Sequence, residues 1–332
     1  MRSGVFFLVC LGIGAAVFAA ALAFGNDYLF FAGYVVAQYV VLATAWNILG
    51  GYCGYVNFGS AAFFALGAYA TVALHEFYEP LPVPALIVGG GIVSGVVGLG
   101  MGYLTLRLRG AFFAIATLAL AVVLQTLVVN WDYVGGSRGA YIVRPETIAP
   151  LGNYVRYLFL VMLLLAVVAV TAARVIERSR LGYGFATIRD DELAAEASGV
   201  PTLRLKLVAT AISGALMGMA GAPFPYYIGF LQPSSTFGLD YAVNAIAMPL
   251  IGGTTTWIGP LIGALLLGSL QQIATVTISS AVNLLIVGFL LVGFVIVAPN
   301  GIVGLLRRYI QHKPVGLVGR RRRGADAPGS AS

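Results

Sequence analysis

The chain has 332 residues, of which 60% are hydrophobic and only 9% charged. A soluble domain carries about a quarter charged residues, so this composition excludes a water-soluble globule and points to the lipid bilayer as solvent. The net charge of +7 comes largely from basic residues that flank apolar runs, a pattern of membrane orientation that argues against nucleic acid as a partner.

A helix that crosses a membrane needs about 20 mostly apolar residues. In chain order the sequence offers ten such segments, at roughly 5–24, 28–48, 57–75, 84–106, 110–130, 154–175, 205–228, 241–256, 259–280 and 282–299. The third and eighth are short or interrupted by glycine. A re-entrant path stays open for either, provided that protein shields its backbone from lipid. The first segment follows Arg2 and ends in Ala21-Leu22-Ala23, so it reads either as a retained helix or as a cleaved signal peptide. Its apolar run is longer than an ordinary signal core, which favours the helix. Cleavage would leave nine spans in unchanged orientation.

The connections carry the charges. Arg2, Arg107, Arg109, the group Arg174, Arg178, Arg180, Arg189, Arg204 and Lys206, and the C-terminal Arg307, Arg308, Lys313 and Arg320 to Arg323 all fall on one side of ten alternating spans. By the positive-inside rule that side is the cytoplasm, with both termini there. Asp27, the stretch His75 to Glu79, residues 131–153 and Asp240 fall on the other side. From Gln311 to Ser332 the composition predicts a disordered basic tail, read either as a stop-transfer signal or as a contact for anionic lipid.

Glycine supplies 43 residues, about twice ordinary usage. The pairs Gly50/Gly54, Gly91/Gly95, Gly98/Gly102 and Gly214/Gly218 predict helices that approach closely. Cys10 and Cys53 make no disulfide framework, and His75 and His312 are too isolated for a metal centre, so no metal or other cofactor is expected.

No Asp, Glu, Lys or Arg falls near the middle of a predicted span, where proton-coupled transporters place an ionisable group. Nor is there a Gly-x4-Gly-Lys-Ser/Thr phosphate loop, since neither Lys206 nor Lys313 has that context. The chain thus reads as non-catalytic: a passive pore, or a subunit energised by a partner. The longest inner connection, about 176–204, points to the partner. There Thr187-Ile188-Arg189-Asp190-Asp191-Glu192 is expected to open a short helix with its acidic residues in the first turn, closed by Gly199 and Pro201. Arg189, Asp190, Asp191, Glu192, Glu196 and Gly199 are the candidate coupling residues, with Glu192 and Glu196 one turn apart on one face. A solvated connector is the alternative reading of this helix.

Polar residues within the spans are candidates for a translocation pathway. Gly268, Gln271, Gln272, Thr275 and Ser279 form a stripe at helical spacing in the ninth. Thr117 and Gln125 lie in the fifth, Asn47, Asn57 and Ser60 around the second and third, and Asn244 in the eighth. Such residues also bond helix to helix in membranes.

Several ordered motifs resemble one family. Arg178-Ser179, Gly182 and Ile188 to Val200 (IRDDELAAEASGV) resemble the cytoplasmic loop of LivM-type permeases, which belong to branched-chain amino-acid ABC transporters. Asn47 to Tyr69, Leu106 to Leu118, Gly135-Gly136-Ser137, Ile251 to Pro260 and Pro299 to Gly304 are similar to further motifs of that family. The resemblance runs from about residue 30 to 307. Tyr183 and Ala186 stand where members often carry basic residues, Ser60 where they often carry His, and Tyr55 where they often carry Gln or a small aliphatic.

The resemblance implies an all-α, polytopic bundle of about ten spans, with a permease domain over 1–310, a coupling segment near 176–204 and the tail at 311–332. It further implies a second related permease subunit, two ATP-binding subunits, an extracytoplasmic solute-binding protein and a bacterial cytoplasmic membrane. Branched-chain or other hydrophobic amino acids are the expected solute. Urea, short amides or aromatic carboxylates are the alternative within the same transporter class, and a self-sufficient channel, a secondary transporter or a membrane scaffold lies outside it.

Overall fold

The computed structural model describes residues 3–77, 81–143, 147–148, 152–277, 285, 288–289, 291–294 and 301–311. Its long elements are helices α1 (Ser3–Phe24), α2 (Asp27–Asn47), α3 (Ser60–Phe77), α4 (Val83–Thr105), α5 (Ala111–Val129) and α6 (Tyr154–Glu177). Two short helices follow, α7 (Arg180–Asp190) and α8 (Glu192–Ala197), then α9 (Thr202–Gly221), α10 (Phe224–Ile228), α11 (Pro233–Thr236), α12 (Leu239–Gly252), α13 (Ile258–Thr277) and α14 (Gly301–Gln311). Apolar runs without charge become helices because each helix satisfies its own backbone hydrogen bonds in lipid.

Among the described residues, seven helices are long and apolar enough to cross a membrane. That is fewer than the ten segments expected from sequence, and the reasons are local. Helix α12 has only 14 residues, short of a full crossing, whereas α3 has 18 but carries the polar pair His75-Glu76 in its last turn; both sit inside the bundle, with most of their residues buried. The segment at 282–299, Ser279 and the tail at 312–332 lie wholly or largely outside the described residues. Helix α9 ends at Gly221, and the chain bends at Ala222-Pro223 into α10, where the proline lacks the N–H that a continuing helix needs.

Helix α2 starts at Asn26, whose side chain accepts the Tyr28 N–H, with Asp27 in the first turn against the helix dipole. It runs without a break into a π-helical turn, Ile48–Tyr52, at Gly50 and Gly51. Such turns widen a helix and are common near functional sites.

The closest packing joins α3, α4 and α9. Gly91, Gly95, Gly98 and Gly102 of α4 and Gly214 and Gly218 of α9 all lie on this contact, so three of the four expected glycine pairs share one interface. A β-carbon at Gly218 would overlap the Ser94 hydroxyl, and one at Gly67 of α3 would overlap the Gly218 carbonyl. Gly50 and Gly54 belong elsewhere: Gly50 lies under the Trp46 ring, and Gly54, at φ 81°, faces Arg189. Gly218→Leu is therefore expected to destabilise the bundle by about 1–3 kcal/mol or more, as overpacking does. Thermal unfolding in detergent checks this, with Gly100→Ala, which faces open space, as the neutral control.

Contacts between distant segments sort the connections into two ends. At one end Arg174 lies on Phe6, the Trp257 N–H meets Glu177, Arg109 meets Glu192 and Glu196, and Gly301 lies against Gly253. At the other, Arg156 pairs with Asp27 at 3.1 Å, His75 meets Tyr226, and β1 (Ala140–Tyr141) pairs antiparallel with β2 (Phe230–Leu231). The first end gathers most of the arginines; the second is mixed.

Candidate functional site

The basic end is organised by α7 and α8. Ser179 caps α7 by accepting the Leu181 and Gly182 N–H groups. Asp191, with extended backbone, caps α8 by accepting the Ala194 N–H. This corrects the expected start of the coupling helix. Thr187 to Asp190 close α7 rather than opening the next helix, and only Glu192 occupies the acidic first turn of α8. The chain breaks between them because the Asp191 side chain supplies the hydrogen bond that the next helix needs, at the cost of continuity. Gly199 ends α8 at φ 83°. Its N–H bonds the Glu196 carbonyl, and the Val200 N–H bonds that of Ala195, both at 3.0 Å, a left-handed cap that suits glycine. Phe185, Ile188 and Ala195 are buried and anchor the pair.

Glu192 turns inward. Its side chain is 12% exposed, and it accepts a 2.7 Å hydrogen bond from the Lys206 ammonium and another from the Tyr55 hydroxyl. The Lys206 Nζ also donates to the Tyr55 hydroxyl at 3.1 Å and to the Leu106 carbonyl, at the end of α4, at 3.0 Å. All three ammonium protons are thus used, which is how a buried lysine is tolerated. Arg109 lies 3.5 Å from both Glu192 and Glu196, and the Glu196 carboxylate also accepts from Thr202 at 2.8 Å. Burial pushes the Glu192 carboxyl up, but the hydrogen bonds from Lys206 and Tyr55 and the charges of Lys206 and Arg109 outweigh it and hold the carboxyl below its ordinary value. The Tyr55 hydroxyl is pushed up by burial and by its Glu192 partner.

Arg189 completes the contact on the other side. It packs across Gly54, pairs with Asp190 at 3.3 Å, and its Nη1 lies 3.5 Å from the Gly51 carbonyl. A cavity of ≈ 330 Å³ lies between Cys53–Val56, Arg109–Ala111, Arg189 and Glu192. One small helical unit therefore grips two connections at the basic end, α2 to α3 and α4 to α5. A second carboxylate makes a parallel tie: Glu177 accepts the Trp257 N–H at 2.7 Å and the Tyr52 hydroxyl at 3.4 Å, joining α6 to the α12–α13 turn. No group of three or more potential metal ligands occurs among the described residues.

The pathway candidates separate into three groups. Asn57 caps the turn before α3, where its side chain accepts the Gly59 N–H at 2.8 Å and its carbonyl accepts from the Trp46 indole. The Thr117 hydroxyl accepts the Phe58 N–H at 3.2 Å, so α5 is tied to that same turn. Asn47 and Ser60 are fully buried beside it. Gln271 donates to the Asn244 carboxamide at 2.7 Å, an interhelical bond between α13 and α12. Gly268 faces Tyr39 and Val36 of α2, and the Thr275 hydroxyl bonds back to the Gln271 carbonyl. Gln125 and Gln272 are half-buried on separate helices. The structure thus does not gather these residues into one lumen.

A family model described as branched-chain amino acid transport system / permease component matches residues 28–295. The chain belongs to this family. The LivM permease protein of the high-affinity branched-chain amino acid system of Salmonella typhimurium is 28% identical over 300 residues, covering 83% of this chain and 70% of that protein. The Escherichia coli LivM protein is 27% identical with the same coverage. The ribose import permease RbsC of Haemophilus influenzae is 24% identical over 66% of this chain and 68% of that protein. No solved structure matches the chain significantly.

In this permease the sequence marks α7 and α8 as a candidate coupling segment but not the bonded groups Lys206, Tyr55 and Glu177. Lys206 reads as one more flanking cation and Tyr55 as a departure from the family pattern, while Glu177, just past the sixth segment, carries no reading of its own. A lysine four residues after the start of an apolar helix, with the carboxylate that opens the preceding short helix, was the available signal.

Proposed function

We propose that this permease is the membrane subunit of an ATP-driven importer for branched-chain or other hydrophobic amino acids. It works with a second related permease, two ATP-binding subunits and an extracytoplasmic binding protein. The observation that carries the reading is the α7–α8 unit at the basic end. It is capped, anchored by Phe185 and Ile188, and bonded through Glu192 and Arg189 to two inner connections. Closure of the ATPase pair would move this unit and, through Lys206 and Tyr55, the inner ends of α2 to α5, an alternating-access step. Arg189, Asp190, Asp191, Glu192, Glu196 and Gly199 act in this transmission, with Glu192 as an inward link. The polar cluster of Asn47, Asn57, Ser60 and Thr117 lies at the inner gate. The relatives support the solute class. A strain lacking the chain should lose saturable leucine, isoleucine or valine uptake and regain it on complementation; unchanged uptake of all three, with loss of an amide or carboxylate solute, would reassign the cargo.

The basic end faces the cytoplasm of a bacterial inner membrane, with both termini on that side, in keeping with the positive-inside rule. A single cysteine introduced at Leu193 should resist an impermeant maleimide added to intact cells, and one at Ser137 should react. Labelling at position 193 from outside would reverse the orientation.

A further inference from the structure

The cavity of ≈ 330 Å³ at the basic end takes no part in the contacts described so far. Its volume falls at the small end of ligand pockets, which run from about 300 to 1,000 Å³. It is open to the medium, since Gly54, Val56, Gly110 and Ala111 at its rim are exposed. Glycine keeps that rim low. Gly110, at φ 57°, has open space where a β-carbon would stand, and Gly54, at φ 81°, lets Arg189 lie across it.

The lining combines groups of unlike character. Arg109 and Arg189 bring two guanidinium groups, Glu192 a carboxylate, and Val56, Ala111, Ala114 and Ile188 an apolar wall. Both cations are loosely engaged. The Arg109 side chain is 49% exposed and meets Glu192 and Glu196 only at 3.5 Å; Arg189 meets its own neighbour Asp190, 72% exposed, at 3.3 Å. Solvent screens such pairs, so they hold the guanidinium weakly, and its planar N–H fork remains open to a carboxylate. Glu192 accepts from Lys206 on Oε1 and from Tyr55 on Oε2. A carboxylate offers about four acceptor positions, so a further donor can join it from the cavity.

We propose that this cavity binds a hydrophobic α-amino acid. The ligand carboxylate lies on Arg109 and Arg189, its ammonium on Glu192, and its aliphatic side chain against Val56, Ala114 and Ile188. Unlike charges beside an apolar wall match such a zwitterion. A simple anion would face Glu192 unpaired, and a simple cation would face both arginines. None of the polar pathway candidates lines the cavity, so the site is separate from them. The ligand class follows from the lining; that the ligand is solute delivered to the ATP side rests on the function proposed above.

The test is ligand-observed NMR titration of the purified full chain in detergent. The ligands are leucine, isocaproate, which lacks the ammonium, and isopentylamine, which lacks the carboxylate. Leucine should bind saturably and at least about tenfold more tightly than either analogue. Arg109→Gln, at a half-exposed position, should weaken leucine at least about tenfold without weakening isopentylamine. Ala114→Leu should fill the cavity and abolish binding of all three. No saturable leucine binding by the wild type, equal affinity for leucine and either analogue, or leucine binding that survives Ala114→Leu would overturn the proposal. Should Ala114→Leu fail to fold, Arg109→Gln decides, and an unchanged leucine affinity overturns it. The proposed function fails separately: leucine, isoleucine and valine uptake unaffected by loss of the chain would reassign the cargo, while leucine binding that obeys these variants would still place the site.

Discussion

Replacing Lys206 with Met is expected to abolish uptake and to destabilise the fold at once. Lys206 is 3% exposed and is the common donor to Glu192, Tyr55 and the Leu106 carbonyl. Without it, Glu192 remains as a mostly buried carboxylate held by Tyr55 and by the half-exposed Arg109. Removing one member of a buried pair costs about 3–5 kcal/mol. The double variant Lys206→Met with Glu192→Gln removes the stranded charge and should recover most of that stability. Uptake should stay below about a tenth of wild type, because the charged register between α8 and α9 is gone. Recovery of both together would make the network purely structural. The pH response has a definite sign. The Glu192 carboxyl is held below its ordinary value of 4.5, so its contribution is present at neutral pH and lost as pH falls through its folded value. The acid limb of the wild-type stability profile should therefore be steeper than that of the double variant.

A Leu193→Glu substitution should detach the ATPases while leaving the permease folded. Leu193 is 63% exposed and Tyr183 70% exposed, both on the charged connection rather than in the lipid-facing spans. An ATPase docked on this connection would cover both side chains. With Glu192 turned inward, the outward face of the unit is Tyr183, Leu193 and the exposed Asp190 rather than the pair Glu192 and Glu196. Loss of an interface anchor costs about 2 kcal/mol or more, enough to reduce co-purification of the ATPases more than tenfold. An exposed substitution should change the stability of the permease itself by about 0.5 kcal/mol or less. Glu76→Lys, exposed at the opposite end, is the control. Normal association of Leu193→Glu with the ATPases would leave α7 and α8 as a solvated connector.

Much of this architecture was legible in the sequence because lipid imposes simple rules. Apolar length marked most of the spans, glycine spacing marked close helix packing without naming the partner helices, and the Gly199-x-Pro201 ending marked the α8 cap. What stayed hidden depends on tertiary distance. The break at Asp191 follows from one side chain choosing a cap over helix continuation, a local competition that helix propensity does not rank. Hydropathy likewise does not show that α3 and α12 are mostly buried among neighbouring helices. The partnership of Lys206, Glu192, Tyr55 and Leu106 spans four chain segments, and no spacing rule joins them. The stripe in α13 had the right period but the wrong neighbours: Gln271 finds Asn244, and Gly268 finds α2.

On the function proposed above, the chain moves solute only as a subunit driven by ATP on its partners. Proteoliposomes containing this permease, the second permease and both ATPase subunits, with ATP on the ATPase side and the binding protein on the other, test it directly. A branched-chain amino acid should accumulate only when ATP and every subunit are present. Accumulation by this chain alone, driven by an ion gradient or by solute down its own gradient without ATP, would contradict it.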